Sequence, residues 1–160
     1  MATGLDDCVM AADIVQLPAV GWREWLALPS LGISRIKAKV DTGARTSAIH
    51  AFDLELYETE AEEKRVRFKV HPIRGDLETM IECDEIVSKH RSVRDSGGHE
   101  EIRPFITIPV TLGPHTWEIE ASLTNRDNMK FRMLLGRAAI KNRFVVDSSS
   151  SYRMRIDRIE

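Results

Sequence analysis

The chain has 160 residues, of which 42% are hydrophobic and 30% are charged, the size and composition of a single globular domain with its own core. A formal net charge of -2 gives no electrostatic basis for nucleic acid as the main partner. Because it has neither an apolar run near the roughly 20 residues that span a bilayer nor a basic signal region, the sequence predicts a cytoplasmic protein with no membrane partner.

The first regular element predicted along the chain is an alternating strand. Residues 1–14 are predicted to form a flexible tail. In RIKAKVD, residues 35–41, the apolar residues Ile36, Ala38 and Val40 alternate with basic ones. This period of two predicts a β-strand that has one buried face and one polar face.

Short strands and turns are predicted for the middle of the chain. The segment that starts at Ser47 is predicted to contain a short turn or helix, and the alternating stretch 65–72, RVRFKVHP, a strand. Further on, two extended arms flank RDSGGHEE, where Gly97 and Gly98 supply the turn. A second predicted hairpin turns at Gly113.

The last part of the chain combines an apolar run, a short helix and a strand. RAAIKN, residues 137–142, is predicted to be the helix, and RFVVD, residues 143–147, the strand. Residues 151–160 are predicted to add a further strand or a tail to a domain over 15–150. Many short strands joined by turns predict a closed or sandwich-like β fold.

The stretch KAKVDTGARTSAIH, residues 37–50, places an aspartate at the end of the first predicted strand. Asp41 is either a turn residue or a catalytic carboxylate. Amide hydrolysis by carboxylates needs two of them close together, because a pair that shares one proton supplies both a base and an acid. Gly43 allows a sharp turn that brings N–H groups toward the carboxylate. Thr42 offers a hydroxyl for a partner loop, and Ala44 is small enough to lie under a substrate.

A late motif favours the catalytic interpretation. In MLLGRAAI, residues 133–140, two apolar residues precede Gly136 and Arg137. An early Asp-Thr-Gly-Ala, a Gly-tipped hairpin and this late motif resemble the retropepsin-like aspartic peptidases, the family of the retroviral proteases. More closely, GWREWLALP, AKVDTGARTSAIHA, VRDSGGHEEIRP and MLLGRAAIKNRFVVD are similar to a bacterial and archaeal group labelled "ATP-dependent zinc protease".

The resemblance implies a mainly β, retropepsin-like closed barrel, the acid protease fold, with one short C-terminal helix. It makes Asp41 catalytic and makes the hairpin tip, residues 94–99, a flap that closes over substrate. The residues that it implies as support for the active-site loop are Thr42, Gly43, Ala44, Leu134, Leu135 and Gly136. Those that it implies for substrate binding at the flap are Ser96, Gly97 and Gly98.

The sequence holds one Asp-Thr-Gly, so the second carboxylate has to come from elsewhere. Asp147 also ends an apolar strand, but no Thr-Gly follows it, and we interpret it as a strand-end residue. We therefore expect a C2 homodimer that brings two copies of Asp41 together on its axis.

No cofactor or metal is expected from the motifs. The sequence has neither a Gly-x4-Gly-Lys-Ser/Thr loop nor a His-Glu-x-x-His, and its five histidines are scattered. Of these, only His50 is near the active-site loop. Cys8 and Cys83 lack metal-ligand spacing and are predicted to be free thiols. The group's label leaves a zinc-dependent hydrolase as an alternative, and a fold kept only for dimerisation or binding is another.

Arg45 stands where viral retropepsins usually carry an acid that pairs with the Arg of Gly-Arg. Either Arg137 pairs with another acid, for which Asp127 is the candidate, or Arg45 and Arg137 together bind an anion, or Arg45 points into solvent. We expect both arginines to bind substrate. The similar group is often encoded beside ligases that build glutamyl-type amides, and the expected substrate is a peptide or peptide-like amide with acidic residues.

Overall fold

The computed structural model describes residues 16–94, 97–126 and 129–154, and these residues form twelve β-strands, one α-helix and one 3₁₀ turn. The predicted tail, Cys8, Ser96 and Asp127 lie outside the described residues. In chain order the elements are β1 Ala19–Gly21, β2 Arg23–Leu28, the 3₁₀ turn Pro29–Leu31, β3 Ile33–Asp41, β4 Ser47–His50, β5 Phe52–Glu58, β6 Lys64–Val70, β7 Ile81–Ile86, β8 Lys89–Arg94, β9 Glu100–Leu112, β10 His115–Thr124, β11 Met133–Gly136, α1 Arg137–Ile140 and β12 Val145–Asp147.

Six of the strands follow one another in a ring-like arrangement. The order is β10–β4–β11–β3–β2–β9, and β9 pairs back with β10 along an antiparallel hairpin. At the join between β2 and β9, Ala27 pairs with Thr111. β8 extends the sheet beyond β9, while β5, β6 and β7 form a separate three-stranded sheet. The predicted mainly β fold with one short C-terminal helix is confirmed, with the strands in a ring-like arrangement that is not formally a closed barrel.

The core follows from the alternation seen in the sequence. On β3, Ile36, Ala38 and Val40 are buried, whereas Arg35 and Lys39 are exposed. The predicted alternation of this strand is confirmed. Full burial of an aliphatic side chain contributes about 1.5–3 kcal/mol, so the inner face of such a strand holds it in the ring.

The segment that starts at Ser47 does contain a turn, at residues 60–61, but two strands that were not predicted come before it. The chain forms two strands there, β4 and β5. All four residues of β4, which lies between β10 and β11 in the sheet, are buried. A strand covered on both faces loses the alternation that identifies half-buried strands. β5 is irregular, with a register shift between Phe52 and Glu55, so its pattern was also hidden.

Both predicted hairpins and the predicted helix are confirmed. β8 and β9 pair from Lys89 opposite Phe105 to Arg94 opposite Glu100, and Gly113 turns β9 into β10 with a φ of 57°. The helix is a single turn, α1. None of the helices among the described residues has the length and apolar character needed to cross a bilayer.

The described end of the chain packs back on the first strands. β12 pairs in parallel with β1, and residues 151–154 form turns beside β2. The carboxylate of Glu24, which is 1% exposed, accepts hydrogen bonds from the backbone N–H groups of Gly21 at 2.7 Å, Arg153 at 2.9 Å and Met154 at 3.0 Å. Glu24 therefore fastens the two ends of the domain to each other.

Candidate active site

Asp41 is the last residue of β3, where the strand turns into a loop of residues 42–46. Its Oδ1 accepts hydrogen bonds from the backbone N–H groups of Gly43 at 3.0 Å and Ala44 at 3.3 Å. A Cβ at Gly43 would lie 3.2 Å from that same oxygen, which is tight. The turn thus orients the carboxylate, and the two N–H groups leave its Oδ2 to other partners.

The start of α1 holds the loop from the other side. The backbone N–H of Arg137 donates to the carbonyl of Ala44 at 2.7 Å, and that of Ala138 donates to the carbonyl of Arg45 at 2.9 Å. The Arg137 side chain adds a bond from Nη1 to the carbonyl of Thr42 at 2.8 Å. Three successive parts of the loop are fixed in this way, which limits the freedom of Asp41.

Gly136 allows β11 to pass directly beneath the loop. It pairs with Asp41, and a Cβ in its place would lie 2.5 Å from the carbonyl carbon of Thr46. Its N–H donates to the Oγ of buried Ser47 at 3.0 Å. Of the two preceding leucines, Leu135 is fully buried opposite Val40.

A cleft of about 690 Å³, which we call the active-site cleft, opens above Asp41. The loop, Leu134, β8, β9 and the segment after β10 line it. The charged residues that line it, among those described, are one acid, Asp41, and five bases, Arg45, Arg91, Arg94, Arg103 and Arg126. The lining is therefore rich in arginine, although Arg94 also pairs with Glu100 at 2.8 Å and Arg91 lies 3.9 Å from Glu120.

Two of these arginines face each other across the hairpin. Arg91 on β8 pairs directly with Arg103 on β9, and like charges in such a position are destabilising. Arg103 is 6% exposed and forms an ion pair with Glu101. Burial works against the ionisation of Glu101, but hydrogen bonds from Thr124 and Arg103 outweigh it and hold the pKa of this carboxyl below its usual range. Glu101 thus stays charged and offsets part of the repulsion.

The structure brings some of the predicted substrate-binding residues to the cleft and not others. Arg45 lines it and forms no ion pair within the described residues. Arg137 holds the loop through Thr42 and is not among the residues that line the cleft. Gly97 and Gly98 are exposed at the hairpin tip, away from the described lining.

The arginines of the hairpin were missed from the sequence. Arg91 and Arg94 belong to RSVR in the first arm, and Arg103 belongs to EEIRP in the second. The available signal was that a hairpin predicted to be a flap must turn one face toward the site. The register in which the two strands of the hairpin pair decides which face is turned to the site, and the sequence does not specify this register.

The other residues weighed for chemistry lie elsewhere. His50 is buried, and its Nδ1 accepts a hydrogen bond from the backbone N–H of Arg126 at 3.1 Å. Cys83 is a buried free thiol, and burial raises its pKa to about 12. Asp147 accepts hydrogen bonds from Ser149 and Ser150 next to β12.

No cluster of three or more His, Cys, Asp or Glu side chains able to hold a metal ion occurs among residues 16–94, 97–126 and 129–154.

A strand that ends in Asp-Thr-Gly and runs parallel to a strand that ends in Gly-Arg is the arrangement of retropepsin-like aspartic peptidases, and the chain has the fold of that class. The chain belongs to the RimB-like family, because the family model described as retropepsin-like aspartic endopeptidase RimB matches residues 19–156.

Curated relatives are similar over most of this chain but are much longer. A protein of Shewanella halifaxensis is 44% identical over 133 residues, and one of Desulfotalea psychrophila is 44% identical over 138 residues. These matches cover 83% and 86% of this chain but 29% of each relative. Both relatives are named "Probable alpha-L-glutamate ligase". The chain therefore spans less than a third of the length of these relatives.

A solved structure supports the fold. The crystal structure of a Legionella pneumophila protein of unknown function matches with a TM-score of 0.72 and 24% identity, covering 86% of this chain and 98% of the other. At this identity the likeness shows the fold alone.

Proposed function

We propose that this chain is an aspartic-type peptidase that hydrolyses a peptide or glutamyl-type amide bond in an acidic substrate. The observation that carries the proposal is the cleft, in which one oriented carboxylate, Asp41, is surrounded by five arginines among the described lining residues. Membership of a family described as aspartic endopeptidases supports the reaction type.

The reaction needs a second carboxylate, which a second copy of the chain supplies. Two Asp41 carboxylates on a C2 axis share one proton, so one acts as general base on a bound water and the other as general acid toward the substrate carbonyl. Attack of the water gives a tetrahedral intermediate, and proton transfer to the amine lets the C–N bond break. Thr42 and Gly43 hold the loop, and the hairpin of β8 and β9 excludes bulk water over the site.

The substrate class follows from the arginines. A guanidinium has a planar, forked set of donors that matches a carboxylate, and charge-assisted pairs of this kind are stronger than neutral hydrogen bonds. Relatives with a segment similar to this chain are named as glutamate ligases, which supports a substrate that contains glutamate.

Replacement of the catalytic carboxylate tests the proposal. Asp41→Asn keeps the size of the side chain but cannot act as a base, so hydrolysis of a glutamate-rich peptide should fall by about 10²–10⁴-fold. The matched control is Asp53→Asn, since Asp53 is an exposed aspartate on β5 and lies outside the cleft. Cleavage is followed by mass spectrometry of the products.

The result also separates the proposal from its alternatives. Hydrolysis that is equal in wild type and Asp41→Asn would overturn it, and peptide binding without hydrolysis in the wild type would favour a binding module. Activity that disappears with a chelator and returns with zinc would favour the metal-dependent alternative.

A further inference from the structure

A second basic pocket lies on the outer face of the sheet. It has a volume of about 290 Å³, and we call it the tryptophan pocket. Its cationic side chains are Arg23, Lys37, Arg74, Lys130 and Arg132. Trp22, Trp25 and Phe131 supply its aromatic rings, and no acidic side chain lines it within the described residues.

The tryptophan pocket and the active-site cleft open on the same face. Residues that pair directly across strands point to the same side of a sheet. Leu134, which lines the cleft, pairs with Lys39, and Lys39 pairs with Arg23 of the pocket. Strands are about 4.8 Å apart, so this row of three side chains spans roughly 10 Å. Exposed Lys39 lies between the two sites.

Two of the cations of the pocket lie against aromatic rings. The guanidinium of Arg23 lies 4.6 Å from the Trp22 ring centre, and the ammonium of Lys37 lies 5.1 Å from that of Trp25. Arg35 also covers Trp25, at 3.9 Å. A charge that rests on an aromatic face keeps its N–H donors directed outward at a low entropic cost.

The same contacts argue against nucleic acid as the ligand. Proteins that bind single strands offer aromatic faces on which bases stack. Here Trp25 is stacked with Tyr152 and covered by Arg35, while Trp22 meets the edge of Phe131 and the charge of Arg23. With these ring faces occupied, the pocket offers cationic donors for an anion but no free tryptophan face for a base.

One donor in the pocket lacks an acceptor. The Nε of Arg132 is buried and makes no hydrogen bond among the described residues. A buried donor without a partner is costly, which makes an incoming acceptor favourable. The backbone at this position is fixed, because the Arg132 carbonyl accepts the N–H of His50 at 2.9 Å.

We propose that the tryptophan pocket binds the acidic chain of the substrate beyond the segment held in the active-site cleft. The identity of this acidic substrate, a glutamate-containing peptide, rests on the proposed function. In this pocket, Arg132, Lys37 and Arg23 bind substrate carboxylates that lie several residues from the cut bond. Lys39 binds the part of the substrate between the pocket and the cleft. The pocket therefore makes affinity depend on substrate length as well as on charge.

Binding of glutamate peptides of two lengths tests the inference. A diglutamate reaches at most about 7 Å, less than the roughly 10 Å between the sites, and a dodecaglutamate about 40 Å, so only the longer one occupies both sites at once. Labelled peptides are titrated with Asp41→Asn protein, which removes the proposed hydrolysis, and anisotropy is measured. Adding Arg132→Gln should weaken binding of the dodecaglutamate about tenfold or more and leave that of the diglutamate nearly unchanged.

Two further variants guard against an effect on folding. Lys37→Gln changes a side chain on the outer face of β3 and should give the same length-dependent loss, whereas Lys141→Gln, an exposed lysine that lines neither site, should bind both peptides like the parent. Thermal melting of each variant confirms that it is folded.

Several outcomes would contradict the inference. An equal loss for both lengths, no loss in either pocket variant, or no measurable binding of dodecaglutamate would overturn the inference. So would an RNA dodecamer that binds more tightly than dodecaglutamate and is lost in Arg132→Gln. Length-dependent binding by a wild type that never cleaves the peptide would overturn the proposed function and leave the inference standing.

Discussion

At the scale of single residues, the charge at Arg45 distinguishes this candidate active site from the active site of a viral retropepsin. The usual partner of Gly-Arg is absent, and Arg137 uses the carbonyl of Thr42 instead. Its contact to the loop is therefore kept without an ion pair. Arg45 is left exposed on the wall of the cleft, where an unpaired guanidinium is solvated and remains available to an anion.

Arg45→Ala should lower kcat/KM for peptides with glutamate beside the cut bond by roughly tenfold, because one charge-assisted hydrogen bond to the transition state is lost. Peptides with glutamine at that place should be almost unaffected. The comparison is a peptide library digested by both proteins, with Arg67→Ala on β6 as the matched control. An unchanged cleavage profile would show that Arg45 is only a surface residue.

The sequence predicts the surroundings of Asp41 better than those of Arg103. The turn bonds from Gly43 and Ala44 involve residues two and three positions away, so a local motif contains them. Arg103 enters the cleft because β8 lies beside β9 in one particular register, with Arg91 opposite. Such a register depends on contacts over the whole fold.

At the scale of elements, regular alternation made β3 predictable, and double burial concealed β4. At the end of the described chain, β12 has only three residues, and the carboxylate of its last residue, Asp147, holds the turn that follows. Asp147 accepts hydrogen bonds from the Ser149 N–H and hydroxyl, from the Ser150 hydroxyl and from Arg153. These bonds hold the turn that returns the chain toward β2.

Hydrogen bonds from Ser149, and to a smaller extent from Ser150, lower the pKa of Asp147 to about 2. An aspartate in an unfolded chain titrates near 3.9, so the folded pKa is depressed. The stabilisation is therefore present above about pH 4 and is lost as the pH falls toward 2. Asp147→Asn should melt at a lower temperature than wild type at pH 7, and the difference should shrink across this interval.

Circular dichroism melts at several pH values measure this difference. Curves of melting temperature against pH that run parallel for the two proteins would contradict the anchoring role of the Asp147 carboxylate.

At the scale of the whole molecule, the ring of strands carries one Asp-Thr-Gly loop, and the proposed chemistry requires two. Dimerisation should be visible as a mass about twice the 18.2 kDa of the chain in light scattering at micromolar concentration. Because both carboxylates belong to one site, activity and assembly should not be separable.

Mixing equal amounts of wild type and Asp41→Asn gives a sharper test. If subunits exchange freely and each site needs two aspartates, activity per total chain should fall to about one quarter of that of the wild type. Independent protomers would retain about one half. A strict monomer that still cleaves peptide would refute the shared pair and direct attention to Asp147.

The parallel pairing of β3 with β11 has a consequence for synthesis of the chain. Gly136 follows Asp41 by about 95 residues, so at a translation rate of roughly 5–20 residues per second one edge of β3 waits about 5–20 s for its neighbour. An open edge during that interval is a template for aggregation. Arg35, Lys37 and Lys39 place three positive charges on the strand during this wait. Like charges on an open edge oppose its pairing with another copy of the same strand.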